Sequence, residues 1–176
     1  LCRRYRLDFV AMLDVLVPCL ALGHAFGRLG CFMNGCCFGA QCSSSLGVRF
    51  PEGSPVYWHQ LRAMPQLFME HGWPHYSLPV YPTQLYSFVA NLLICVLLCV
   101  LTFKIKVKGR LFSLYLMVYG VWRFLVELLR DDQVRHLGLS LAQYIALLQL
   151  AAGAVLWIYV FRICKVEVNA NGRSAD

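Results

Sequence analysis

Residues 84–103 and 137–161 run for twenty and twenty-five positions without one charged side chain. A hydrocarbon core about 30 Å thick is crossed by roughly 20 residues of helix, so each run is long enough to span it. A third stretch, Leu111 to Leu129, is apolar except for Arg123 and Glu127. A fourth, Phe9 to Phe26, is weaker because it contains Asp14, Pro18 and His24; proline is tolerated in a membrane helix when neighbours re-satisfy the freed backbone. The chain as a whole is 59% hydrophobic and 14% charged, against about 25% charged for a soluble domain. The expected fold is an all-α integral membrane protein with about four transmembrane helices, residues 1–176 forming a single membrane domain.

The net charge of +7 acquires meaning from where it sits. Ten of the sixteen Lys and Arg fall in three clusters beside apolar segments: Arg3, Arg4 and Arg6; Lys104, Lys106, Lys108 and Arg110; Arg162, Lys165 and Arg173. Nucleic-acid binding would want basic side chains spread over one folded face, so no nucleic-acid partner is expected. Such clusters read as cytoplasmic anchors. With four spans they share one side, which turns the segment from about Gly35 to Val80, and Asp131 to His136, outward. Residues 40–80 are too long for a simple loop. They carry Ser43, Ser44, Ser45, Pro51, Pro55, Tyr57, Trp58, His59, Trp73, Pro74, His75 and Tyr76, and read as a small extracytoplasmic head between the first and second spans. A short strand is expected near Leu46–Phe50 and a short helix near Trp58–Glu70. The tail Asn169–Asp176 reads as frayed.

Charges at lipid depth are costly and mark function or packing. Tyr119, Arg123, Glu127 and Arg130 stand at i, i+4, i+8 and i+11, one stripe on the third helix. Arg123 and Glu127, one turn apart, can partly neutralise each other. One reading is a structural ion pair. The other is an anion site in which Arg123 or Arg130 holds a phosphate and Glu127 orients it. Arg28 favours the second, being a further cation with no acid nearby; Asp14 lies four turns away on the same span. Arginine suits phosphate because its planar fork makes two parallel charge-assisted bonds. His24, four residues before Arg28, shares its face and reads as a base near pH 7 or as a hydrogen-bonded interface residue.

Arg28 lies within the run from His24 to Gly39, where Gly27, Gly30, Gly35 and Gly39 would allow close approach of a backbone or headgroup. Cys31, Cys36, Cys37 and Cys42 fall in the same region. They allow disulfides on an oxidising face, a metal site, packed reduced thiols or a catalytic thiol. The metal reading is weak by spacing, which lacks paired C-x-x-C. Cys19, Cys95 and Cys99 lie in apolar stretches and read as small hydrophobes.

Three blocks occur in order: Gly27-Arg28-Leu29-Gly30-x-Phe32-x-Asn34-Gly35, then Tyr81-Pro82-Thr83-Gln84-Leu85-Tyr86, then Tyr119-Gly120-x-x-Arg123-Phe124-x-x-Glu127-x-x-Arg130. Together they resemble the prolipoprotein diacylglyceryl transferase family. The resemblance implies an integral membrane enzyme of the bacterial cytoplasmic membrane, with its active site toward the outer leaflet. It implies transfer of the diacylglyceryl group of phosphatidylglycerol to the lipobox cysteine thiol of a prolipoprotein. Its partners are then phosphatidylglycerol, the prolipoprotein signal peptide and the membrane, and no cofactor or metal ligand is called for. Arg28 and Arg123 match the family's essential arginines, here expected to be catalytic together with Glu127. His24, Gly30, Asn34, Gly39, Gln84, Tyr86, Tyr119 and Arg130 are expected to bind substrate. Cys31 and Cys36 depart from the family's usual Asn and Glu, in a Cys-rich form that a subset of members resembles, and Tyr81 departs from its usual His. The resemblance also implies that this chain is the C-terminal part of a seven-span fold. About three preceding spans and a His-Gly-Gly block would then lie upstream, and the opening on Leu1 suits a fragment. Two alternatives stay open: a same-fold transferase with another acceptor, and a thiol-redox or metal-handling membrane protein built on the cysteines.

Overall fold

The computed structural model describes residues 8–43, 45–70, 74–105, 107–130, 135–136 and 138–172. It is mostly helical. In chain order the elements are α1 (Phe9–Asn34), α2 (Pro55–Ala63), α3 (Pro65–Glu70), α4 (Thr83–Lys104), α5 (Arg110–Glu127), β1 (Arg135–His136), β2 (Leu139–Ser140) and α6 (Leu141–Gly172). Three helical stretches are long and apolar enough to cross a membrane: Phe9–Asn34, Thr83–Lys104 and Leu141–Arg162. Helix α5 is shorter, at 18 residues, and carries Arg110, Arg123 and Glu127.

Helix α1 continues well past the expected Phe26 and takes in the glycine-rich run as far as Asn34. It stops there because Gly35 takes a left-handed backbone, φ 69°. The Gly35 N–H donates to the Phe32 carbonyl and the Cys36 N–H to the Cys31 carbonyl, both at 3.1 Å. These paired bonds are the Schellman ending, which favours glycine at the left-handed position. At the start of α6, Ser140 and Gln143 form a reciprocal capping box. The Gln143 N–H donates to Ser140 Oγ (3.2 Å) and the Ser140 N–H to Gln143 Oε1 (2.9 Å). The pair β1–β2 is antiparallel, with Arg135 opposite Ser140.

Helix α1 packs along α4, and α5 along α6, while α5 also touches both α4 and α1. Their shared core is Val17 and Ala21 of α1, Ile94 and Leu98 of α4, and Leu111 and Tyr115 of α5. Much of the outer surface is apolar, including Leu93, Val96, Phe103, Leu148, Val155 and Tyr159. Exposed aliphatic faces of this extent on long helices are what lipid contact requires.

Asp14 joins α1 to α5. Helix α5 has no capping side chain of its own. The Asp14 carboxylate accepts from the Gly109 N–H (2.6 Å) and the Phe112 N–H (2.8 Å). The acid that weakens the first span as a sequence signal is therefore a cap supplied by another helix, where a negative charge also meets the positive end of the helix dipole. Asp14→Ala should lower stability by about 1–2 kcal/mol, the upper part of the range for losing an N-cap. Thermal unfolding in detergent reads it, and a wild-type melting curve for the variant would refute this role.

Basic residues gather at this end. The Lys108 Nζ lies 2.8 Å from Asp8 Oδ2, and the Lys108 ammonium holds the Asp8 carboxyl below the usual carboxylate range. The Arg110 guanidinium sits 5.8 Å from the Trp157 ring centroid, within cation–π reach. Lys104 and Arg162 are exposed. Arg3, Arg4, Arg6, Lys106 and Arg173, the stretch 131–134, and Ser44 and Trp73 lie outside the described residues, as does the end of the tail.

The opposite end carries the segment between α1 and α4. Its core is Phe38, Phe50, Val56 and Val80, with Tyr57 and Phe68 buried beside it. The expected strand at Leu46–Phe50 does not form. Val48 makes only an isolated bridge to Val80, and Phe50 is fixed instead by the Ser77 hydroxyl, which accepts its N–H at 2.9 Å. The expected single helix Trp58–Glu70 is two, α2 and α3, broken at Met64. Pro65 forces the break, since a residue before proline is pushed out of the helical region; Met64 adopts φ −138°, ψ 58°.

Candidate functional site

Helices α1 and α5 run parallel and in register. Asp14 meets Gly109, 95 positions on. Nearly three turns further along α1, His24 meets Tyr115 and Tyr119. His24 Nδ1 and the Tyr115 hydroxyl share a hydrogen bond of 3.0 Å, and the His24 and Tyr119 ring centroids are 4.9 Å apart. Tyr115 and Tyr119 stack at 5.6 Å in turn. His24 and Tyr119 are again 95 positions apart, and so are Arg28 and Arg123. Each arginine stands one turn, about 6 Å of rise, beyond its aromatic neighbour and on the same face. Arg28 and Arg123 share the sequence offset that joins Asp14 to Gly109 and His24 to Tyr119.

Their surroundings differ. Arg123 Nη1 lies 3.4 Å from Glu127 Oε2, with the two side chains 22% and 1% exposed. That distance is long for a charge-assisted bond, which runs about 2.7–2.9 Å, and neither Glu127 oxygen has a hydrogen-bond partner among the described residues. Arg28 is half-buried and, among the described residues, has no carboxylate partner. The expected i, i+4 pairing on α5 is thus present, while the stripe ends sooner than its spacing implies. Helix α5 closes at Glu127, and Arg130 lies past a turn, buried, with its N–H on the Glu127 carbonyl at 3.1 Å.

The second and third sequence blocks meet at Gly39, four residues past the end of the first. Its N–H donates to the Tyr81 carbonyl (2.9 Å), the Ala40 N–H to the Leu129 carbonyl (2.8 Å), and the Tyr81 N–H to the Ala40 carbonyl (3.0 Å). A Cβ on Gly39 would stand 2.8 Å from both Thr83 Cγ2 and Tyr81 Cβ and 2.9 Å from the Leu129 oxygen. From α4, Gln84 Nε2 donates to the Cys36 carbonyl (2.7 Å) and Thr83 Oγ1 to the Cys37 carbonyl (2.9 Å). Gln84 is 1% exposed, and its Oε1 is unpartnered among the described residues, as are Asn91 Oδ1 and Trp122 Nε1. Buried polar atoms are nearly always satisfied. Such atoms stand at two positions on α4, Gln84 and Asn91, and at two on α5, Trp122 and Glu127.

The remaining candidates are more open. Nothing lies within 4 Å of where a Cβ on Gly27 or Gly30 would stand, so neither is needed for packing among the described residues. Asn34 is exposed at the end of α1, and Tyr86 is half-buried on α4. The sulfurs of Cys31, Cys36 and Cys37 lie within 4.8 Å of one another, and all three cysteines are free. Burial pushes the Cys36 thiol up, but hydrogen bonds involving Asn34, Cys31 and Cys37 outweigh it, and the net effect is to lower it. Sequence spacing does not single out Tyr115, Thr83, Asn91 or Trp122. Tyr115 has a signal to find, as the preceding turn of the Tyr119 stripe, and Thr83 lies inside the second block; Asn91 and Trp122 carry none locally.

The profile of a protein family described as prolipoprotein diacylglyceryl transferase matches residues 1–159. A Clostridium tetani protein named phosphatidylglycerol–prolipoprotein diacylglyceryl transferase is 36% identical over 163 residues, covering 92% of this chain and 57% of its own length. A Clostridium perfringens protein with the same name and the suffix 2 is 35% identical over 153 residues, 85% of this chain and 52% of its own. One from Chlorobaculum tepidum is 30% identical over 162 residues, 89% and 49%. The chain spans about half the length of these relatives.

Proposed function

The chain belongs to the prolipoprotein diacylglyceryl transferase family, and from that premise we propose that it moves the diacylglyceryl group of phosphatidylglycerol onto the lipobox cysteine thiol of a prolipoprotein. In that reaction the cysteine sulfur attacks the glycerol carbon that bears the phosphate. A carbon–sulfur bond forms, the carbon–oxygen bond to phosphate breaks, the thiol loses its proton, and glycerol phosphate leaves.

What supports this reading is the offset of 95 positions that joins Asp14 to Gly109 and His24 to Tyr119 and that also separates Arg28 from Arg123. Arg28, Arg123 and Glu127 together bear one net positive charge, and the phosphodiester of phosphatidylglycerol bears one negative charge. In a region of low dielectric such a match is worth far more than in water. As the phosphate departs, a second negative charge develops on it, and fixed guanidinium donors stabilise that charge without reorganising. Glu127 holds Arg123 in place. His24 and Tyr119 pair one turn before the arginines, while Gln84 and Gly39 tie the segment after α1 to the start of α4. Gly30, Asn34, Tyr86 and Arg130 border the same end and are assigned to substrate contact.

In the membrane, α5 forms a fourth span beside the three longer ones. The basic end faces the cytoplasm by the positive-inside rule, and residues 40–80 form the extracytoplasmic head. The transfer site then lies toward the outer leaflet of the bacterial cytoplasmic membrane, where the signal peptide presents its cysteine.

Reconstitution tests the reaction. The protein is incubated with acyl-labelled phosphatidylglycerol and a lipobox peptide. The expected result is label on the peptide thiol with stoichiometric release of glycerol phosphate. Transfer to a Cys→Ser peptide, or release of glycerol phosphate without a labelled peptide, would count against it.

A further inference from the structure

Cys31, Cys36 and Cys37 are brought together by the way α1 ends. In a Schellman ending the third-last helical residue and the second residue past the cap are side-chain neighbours. Here those positions are Cys31 and Cys36, joined by the Cys36 N–H to the Cys31 carbonyl at 3.1 Å. Cys37 then turns back toward them by adopting φ 58°, the one positive φ at a non-glycine among the described residues. That conformation costs on the order of 1–2 kcal/mol and persists only where surroundings hold it. The surroundings are α4: Thr83 Oγ1 bonds the Cys37 carbonyl and Gln84 Nε2 the Cys36 carbonyl, both side chains being buried. The result is three sulfurs on a strained, braced turn, all within 4.8 Å.

We propose that Cys31, Cys36 and Cys37 form a three-thiolate site for zinc, with the fourth coordination position open. Thiolate sulfurs about 2.3 Å from a tetrahedral zinc stand about 3.8 Å apart, so side-chain rotation alone closes the site. A dry apolar packing of thiols would need neither the left-handed backbone nor the bracing from a second helix. Three sulfur donors select a thiophilic ion over calcium or magnesium. Each thiol gives up its proton on binding, and the loaded site carries one net negative charge. Arg28 stands three residues before Cys31 on the same side of α1. An open position is the mark of a zinc site that takes an exchangeable ligand. The site stands whether or not the transfer reaction is as proposed.

The test is metal binding by the whole chain in detergent, reduced with a phosphine and desalted after exposure to zinc. One zinc per chain is expected. Cobalt in its place should show intense thiolate-to-metal absorption. Cys31→Ser, Cys36→Ser and Cys37→Ser should each weaken zinc binding by more than the roughly 10–100-fold that loss of a supporting residue costs. Cys19→Ser and Cys99→Ser, on exposed positions of α1 and α4, should bind as wild type. Less than stoichiometric zinc in the reduced wild type, cobalt without thiolate absorption, or zinc retained by a folded Cys36→Ser/Cys37→Ser double variant would overturn the site. So would a disulfide joining two of the three in protein isolated without reductant.

Discussion

Replacing Arg28 or Arg123 with glutamine is expected to cut diacylglyceryl transfer by about 10²–10³-fold, the usual effect of deleting one preorganised donor from a developing anion. Glutamine keeps a hydrogen-bond donor and removes the charge, so the loss reports electrostatics. Arg123→Lys should recover only part of the rate, because an ammonium cannot make the two-bonded fork to phosphate. The two positions differ in what else they disturb. Arg28 has no carboxylate partner among the described residues, and its loss should leave the melting temperature nearly unchanged. Arg123→Gln strands Glu127, which is 2% exposed, and a buried charge left without its partner costs about 3–5 kcal/mol. The double variant Arg123→Gln/Glu127→Gln removes the stranded charge. It should regain stability and still fail to transfer. Lipid transfer to a labelled lipobox peptide, read beside thermal unfolding, separates the two effects. Wild-type transfer by both Arg28→Gln and the double variant would sink the phosphate clamp.

Gly39→Ala is expected to be among the most damaging single-methyl changes at the described glycines. Contacts of 2.8–2.9 Å would fall on Thr83, Tyr81 and the Leu129 carbonyl, and two of those three are backbone or backbone-proximal atoms that cannot swing aside. Overpacking of this kind costs about 1–3 kcal/mol, and more where the neighbours are rigid. Here the clash also pulls on three backbone hydrogen bonds that tie residues 39–40 to 81 and 129. The expected outcome is a lower melting temperature together with lost transfer. Gly30→Ala is the control: a Cβ there meets nothing within 4 Å, so stability should hold. If Gly39→Ala melts with the wild type, the crossing has room that these distances deny.

The pairing of Arg123 with Glu127 is legible from spacing alone. The i, i+4 interval makes them a candidate pair, and they do pair, because helical geometry is local. Reading Glu127 and Arg130 as one stripe requires the helix to run on. It ends at Glu127, and nothing in the local sequence marks that stop as proline or glycine would. The first apolar stretch reads as ending near Phe26. The helix reaches Asn34, because only Gly35 among the glycines in the run takes a left-handed backbone. Cys31, Cys36 and Cys37 lack paired C-x-x-C spacing. They converge through a helix-ending turn, which brings positions five apart together by another route.

Length and charge along the chain are enough to establish helices that can lie in lipid, because a run of about twenty uncharged residues admits few other solutions in water or membrane. They also mark Arg28 and Arg123 as costly, since the expense of a buried cation depends on its own chemistry. Which residues of α1 and α5 meet is decided by the fold. The offset of 95 between α1 and α5 is set by Asp14 on the Gly109 amide and by His24 against Tyr115 and Tyr119. Such contacts join residues far apart in the chain, and no periodicity within either helix encodes the shift between them.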